Sequence, residues 1–131
     1  MTSYGLRVKQ NMNIVKFEDL EIWKSALLVT KDVYDITSQG KFSKDFGLRD
    51  QIRRAVVSIS SNIVEGFEKR NNNEFRRFLM ISKGSAGEVR NQLYIALSIN
   101  YINKLEFDKI NSQLLELSKR MGAFISYLTK K

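Results

Sequence analysis

Gln51, Ser58 and Glu65 recur every seven residues, with Asn62 beside them, so a helix over this stretch carries them as one polar line. Ser82, Ser85 and Glu88 form a second polar group on a later helix that should run antiparallel to the first. Glu65 and Glu88, set among hydroxyls and amides, could serve as acid and base in a small catalytic or ligand-binding pocket. The same residue types could instead form an interhelical hydrogen-bond network that fixes register, with small Ser and Gly residues admitting close contact. Composition decides between them. The chain has 0 His and 0 Cys, which removes Ser-His-Asp triads, Glu-x-x-His metal sites, thiolate catalysis and zinc–cysteine sites. A catalytic carboxylate pair would need a metal, nucleophile or cofactor motif nearby, and none accompanies Gln51, Ser58, Asn62, Glu65, Ser85 and Glu88. The line therefore reads as architecture. The expectation is a protein without catalytic residues, cofactor or metal.

A second constellation is cationic. Lys69, Arg76, Lys83 and Arg90 are also seven apart; the last three fall on one side of a helix, with Arg70 and Arg77 near its start. Such a row can track phosphates, or its stems can cover core edges on a solvated flank. Arg49, Arg53 and Arg54 could extend it, although Arg53 lies toward Val57 and could pair across a subunit boundary. The net charge of +8 is unevenly spread: residues 49–90 hold nine basic and five acidic side chains, whereas 17–48 and 91–118 are net acidic. Arg7, Lys9, Lys16, Lys119, Arg120, Lys130 and Lys131 add positive charge at the ends. A polyanionic partner, RNA or DNA before membrane, is the expectation from this balance. Trp23, Phe75, Phe78 and Tyr94 could stack on bases, but their helical spacing with Leu neighbours favours core packing.

These groups must be held by helices. At 131 residues the chain suits one domain, and 0 Pro with 7 Gly suits long uninterrupted helices. Residues 1–16 lack periodicity and read as a flexible basic arm, leaving 17–131 as the bundle domain. Asp19 is the expected N-cap of a first helix that ends near Ser38-Gln39-Gly40. A connection containing Phe42 and Phe46 leads to a second helix, about Leu48 to Phe67. Its main stripe is Ile52, Val56, Ile59 and Ile63, and Val57 and Val64 make a second apolar face. Asn71 and Glu74 have capping-box spacing before a third helix running to about Asn100. Gly84 and Gly87, unusual inside a helix, point to close approach of a neighbouring helix. A fourth helix opens around Glu106, with Phe107, Ile110, Leu114, Leu117, Met121, Phe124 and Leu128 on its core face. Four long helices joined by short turns predict an all-α, up-down-up-down antiparallel four-helix bundle. No apolar run reaches a membrane-spanning length of ~18 residues, and the first residues lack a signal-peptide core, so a cytoplasmic location is expected.

One ordered set of motifs points to a family. Phe17-Glu-Asp-Leu-Glu-Ile-Trp-Lys24, Phe46-Gly-Leu48, Gln51-Ile-Arg-Arg-Ala55, Ser58-Ile59, Asn62-Ile-Val-Glu-Gly66, Glu74-Phe75 and Gly84-Ser85-x-x-Glu88 resemble the bacterial 23S rRNA intervening-sequence proteins. The resemblance runs from about Phe17 to Leu128. It implies a homopentamer of four-helix bundles, some members being encoded within insertions in rRNA genes. The related accessory variability determinants of diversity-generating retroelements are basic bundles that assist a reverse transcriptase and bind nucleic acid, so a reverse transcriptase is a further partner implied. No catalytic reaction follows from the resemblance. The chain departs from the family pattern at Ser43-Lys44-Asp45, at Phe67-Glu68-Lys69-Arg70 and at Glu88-Val89-Arg90, which makes this region more basic.

Overall fold

The computed structural model describes residues 6–7 and 13–130. Four helices form the domain: α1 (Glu21–Thr37), α2 (Phe46–Glu68), α3 (Asn72–Ser98) and α4 (Lys104–Thr129). Each packs on its chain neighbours, and α4 closes back on α1, giving the antiparallel up-down-up-down bundle. The stripes predicted from spacing meet at its centre. Val29, Val33, Ile52, Ile59, Ile63, Phe75, Leu79, Leu93, Ile110, Leu114 and Met121 are all essentially inaccessible to water. Each large side chain so buried contributes about 1.5–3 kcal/mol. Leu97 and Phe124, expected in the core, are only partly buried and pack against its edge.

The helix ends explain why the boundaries differ from the sequence reading. Asp19 is not the N-cap of α1; it sits in a 3-10 turn (Phe17–Asp19), and Leu20 takes the cap position without a side-chain cap bond. Burying Leu20 to 1% exposure evidently outweighs a capping hydrogen bond. α2 starts two residues early because the Asp45 carboxylate accepts from the Leu48 amide at 3.1 Å. At α3 the Asn71 side chain caps the Glu74 amide as expected, but Glu74 turns to Arg77 rather than completing the box. The full capping box belongs to α4: Asn103 Oδ1 accepts from Glu106 N at 2.8 Å, and Asn103 N donates to Glu106 Oε1 at 3.0 Å. Gly40 closes the α1 end with φ +51°, the left-handed conformation its position called for.

Of the arm expected over 1–16, residues 1–5 and 8–12 lie outside the described residues. Within it, β1 (Leu6–Arg7) and β2 (Asn13–Ile14) pair antiparallel, Leu6 with Ile14 and Arg7 with Asn13. Ile14 is buried in the hydrophobic core, and Arg70 donates to the Val15 carbonyl at 3.2 Å. The inner end of this segment is therefore packed on the bundle.

The close approach expected at Gly84 and Gly87 occurs elsewhere. Both glycines are exposed, and a Cβ on either would meet nothing within 4 Å. Gly66, inside α2 rather than at its end, is where α2 and α3 nearly touch: a Cβ there would lie 2.6 Å from Phe78 Cβ. Spacing alone placed small residues opposite the wrong helix face.

Candidate nucleic-acid interface

The polar line on α2 resolves into a smaller network than expected. The Ser58 and Ser85 hydroxyls are 2.7 Å apart, and Asn62 donates to the Ser58 carbonyl and hydroxyl at 2.8 and 3.1 Å. Buried Ser82 joins it one turn away, donating to the Ile59 carbonyl at 2.8 Å. Gln51, Glu65 and Glu88 are exposed and form no hydrogen bond with this group among the described residues. Glu88 is turned about 60° outward from Ser85, at about 100° per residue, so its carboxylate stays in water. Four small polar groups thus tie α2 to α3, while the two carboxylates remain apart from them. Among the described residues, no group of three or more His, Cys, Asp or Glu is placed to hold a metal ion.

The basic residues divide more sharply. Arg53 sits at the α1–α2 edge, donating to Thr37 Oγ1 at 2.8 Å and Ser38 Oγ at 3.0 Å, with its guanidinium 4.5 Å from the Tyr34 ring centroid. Those bonds are intramolecular and lock Arg53 onto the end of α1. Arg49 is engaged by Asp50 and the Ser43 carbonyl. Arg77 pairs with Glu74 at 3.1 Å; this bond holds the Glu74 carboxyl below its ordinary range and raises the guanidinium. Lys69 lies 5.8 Å from the Phe78 ring centroid, Arg70 reaches Val15, and Arg54 is exposed on the outer surface of α2.

Arg76, Lys83 and Arg90 behave differently. All three sit where α3 meets α4, each beside residues of α4, whereas Arg53 sits between α1 and α2. Arg90 Nε donates to Asn111 Oδ1 at 2.8 Å, fixing the guanidinium at the groove edge. Lys83 Nζ lies over Gly122, 3.3 Å from where a Cβ would project. Arg76 lines an open polar recess of about 390 Å³ with Arg70, Asn71, Asn72, Asn73, Leu128 and Thr129. Among the described residues, none of the three cations pairs with a carboxylate, whereas the seven ion pairs present use other Lys and Arg side chains. Lys119 is exposed on the outer side of α4, about 160° around the helix from buried Met121. Of the other terminal cations, Arg120 is held by Glu116, while Lys9, Lys131 and the Arg7 side chain lie outside the described residues.

The family model described as 23S rRNA-intervening sequence protein matches residues 18–123. The chain belongs to this family. The α2–α3 tie and the α3–α4 groove both fall within the matched span. The fold is shared with the crystal structure of a protein of unknown function, from the S23 ribosomal protein family of Bacteroides thetaiotaomicron. The two are 23% identical, with a TM-score of 0.72 over 79% of this chain and 97% of that one. Among curated proteins, none matches the chain. No helix among the described residues is long and apolar enough to cross a membrane.

Some features of the surface had no sequence signal. Tyr94, grouped by spacing with core aromatics, is 50% exposed, whereas Phe75 and Phe78 are buried and Trp23 partly so. The Tyr101 hydroxyl donates to Asp45 at 2.9 Å, a contact between residues 56 apart in sequence. Together with the Leu48 amide it holds the Asp45 carboxyl below its ordinary value, and Asp45 in turn raises the Tyr101 phenol. This pair anchors the start of α2 to the α3–α4 connection.

Proposed function

We propose that the protein is a non-enzymatic, homo-oligomeric nucleic-acid-binding bundle that takes RNA or DNA phosphates along its α3–α4 groove. The observation that carries this reading is the row of Arg76, Lys83 and Arg90 along one side of α3 beside α4, none of them paired with a carboxylate among the described residues. Cations left without an internal counter-ion can neutralise phosphates and release their condensed counter-ions. Such contacts position a backbone without reading sequence. Fluorescence anisotropy with structured RNA and with an RNA–DNA hybrid tests the reading. Binding at low salt that weakens steeply with added salt is expected, and the triple variant R76E/K83E/R90E should lose it. Absence of binding at low salt, or undiminished binding by the triple variant, overturns it.

Self-association follows the family resemblance, which implies a pentamer. Val57, Ile81 and Ile95 are exposed on the outer side of α2 and α3, with exposed Gly84 between the two isoleucines. This surface lies apart from the cationic groove and suits contact between copies. Light scattering should give five times the chain mass; a monomer would remove this part of the proposal. The same apolar side chains also support a second reading, an accessory subunit that docks on a reverse transcriptase. Stoichiometric co-purification with such an enzyme, lost on I81E/I95E, is what that reading expects.

A further inference from the structure

The cationic row has a second component that phosphate binding does not use. Along α3, residues 76, 80, 83, 87, 90 and 94 follow steps of four and three, which keeps them on one straight line of the helix surface. Arg76, Lys83 and Arg90 occupy one set of positions; Met80, Gly87 and Tyr94 occupy the other. The line covers 18 residue steps, ~27 Å at the helical rise. Met80 is 58% exposed and Tyr94 50% exposed, and a Cβ at Gly87 would meet nothing within 4 Å. Charged and apolar contacts therefore alternate along the groove, with an open dip at the glycine.

Tyr94 is held for contact rather than buried by it. Its ring packs against buried Phe107, centroids 4.7 Å apart at an interplanar angle of 58°, and half of the residue faces water. Arg90, one turn before it, is itself fixed by Asn111. An exposed ring backed by the core and set beside a cation is a stacking platform: the base meets the π face and the phosphate meets the guanidinium. A duplex offers phosphates to such a line, but its bases are already stacked on each other. A single strand offers both.

We propose that the α3 line binds single-stranded nucleic acid in preference to duplex, with Tyr94 stacking on a base and Arg76, Lys83 and Arg90 following the backbone. This rests on the phosphate-binding reading above and narrows its substrate class. The test uses the full chain, a fluorescein-labelled oligouridylate, a duplex of equal length and an abasic version of the single strand. The single strand should bind more tightly than the duplex. Tyr94→Leu should weaken single-strand binding about tenfold, Tyr94→Phe should stay within about threefold, and Tyr94→Leu should leave the abasic strand unchanged relative to the parent protein. If R76E/K83E/R90E abolishes binding but single strand and duplex bind alike and Tyr94→Leu binds as the parent does, the phosphate reading stands and this one falls. If the triple variant binds unchanged, both fall. A change of oligomeric state in Tyr94→Leu, seen by light scattering, would make the line a contact between copies and would also overturn the proposal.

Discussion

Replacing Gly66 with Ala should destabilise the bundle, whereas the same change at Gly87 should stabilise it. Both glycines lie inside helices, so each substitution gains about 0.8–1 kcal/mol of helix propensity. At Gly87 nothing opposes that gain, because the new methyl meets no atom within 4 Å. At Gly66 the methyl would lie 2.6 Å from Phe78 Cβ, 3.0 Å from Phe75 Cδ1 and 3.3 Å from Phe75 Cα. Phe78 Cβ and Phe75 Cα cannot swing aside, since one is attached to the backbone and the other belongs to it. α2 and α3 must separate, and overpacking of this kind costs about 1–3 kcal/mol. Taking the upper end for contacts this short leaves a net loss of about 2 kcal/mol. With about 2.1 cal/mol/K of unfolding entropy per residue over 131 residues, that lowers Tm by about 7 °C, and Gly87→Ala raises it by about 3 °C. Thermal unfolding followed by circular dichroism at matched protein concentration gives both values. A Gly66→Ala protein that melts at or above the parent would refute the packing argument, as would a Gly87→Ala protein that melts clearly below it.

Other residues give further checks. Asn103→Ala removes the side-chain half of the α4 capping box, leaves the backbone N–H donor to Glu106 in place, and should cost about 1 kcal/mol, with amide exchange accelerating in the first turn of α4. A double-mutant cycle of Ser58→Ala and Ser85→Ala in urea unfolding should return a coupling of about 0.5–1.5 kcal/mol; additive losses would show the 2.7 Å contact to be idle. For Asp45 the folded carboxyl lies below its ordinary value, chiefly through the Leu48 amide and then Tyr101. Its contribution is therefore present above the unfolded aspartate pKa and lost as pH falls through the lowered folded one, so Asp45→Asn should flatten the acid limb of a stability–pH profile. Tyr101 has the opposite sign: its contribution is complete below the unfolded phenol pKa and lost as pH rises through the raised folded value, and Tyr101→Phe should remove that alkaline dependence. In RNA binding, removing three phosphate-contacting cations should shallow the log K against log salt slope by about 2 for single strands, at ~0.7 per contact.

Much of the fold could be read before any coordinates. The stripes of Ile52, Val56, Ile59 and Ile63 and of Phe107 to Leu128 repeat at helical spacing, and periodicity of that kind fixes which face is buried. What could not be read depended on neighbours distant in sequence. Asp19 and Asp45 look alike as caps; only burial of Leu20 and the reach of Tyr101 separate them. Gly66, Gly84 and Gly87 are all intrahelical, and which one meets a neighbour depends on how α2 is rotated against α3. The nine cations chosen between Arg49 and Arg90 include the groove residues. Arg53 and Arg77 were inseparable from them by charge alone, because the Thr37 hydroxyl is sixteen residues from Arg53 and Glu74 has several cations within reach. Tyr94 failed for the same reason: its spacing matches the core stripe, yet it points past Phe107 to the surface.

The Gly66 contact and the Ser58–Ser85 pair touch α2 and α3 at two levels, with the Ser82–Ile59 hydrogen bond between them. Two rods fastened at several heights can neither slide nor roll past one another without breaking a fastening. The surface that α3 turns outward is consequently carried by a helix held to its neighbour at three levels. Whatever flexible chain settles there must do the bending, so the disorder surrendered on association belongs to the ligand and not to the bundle.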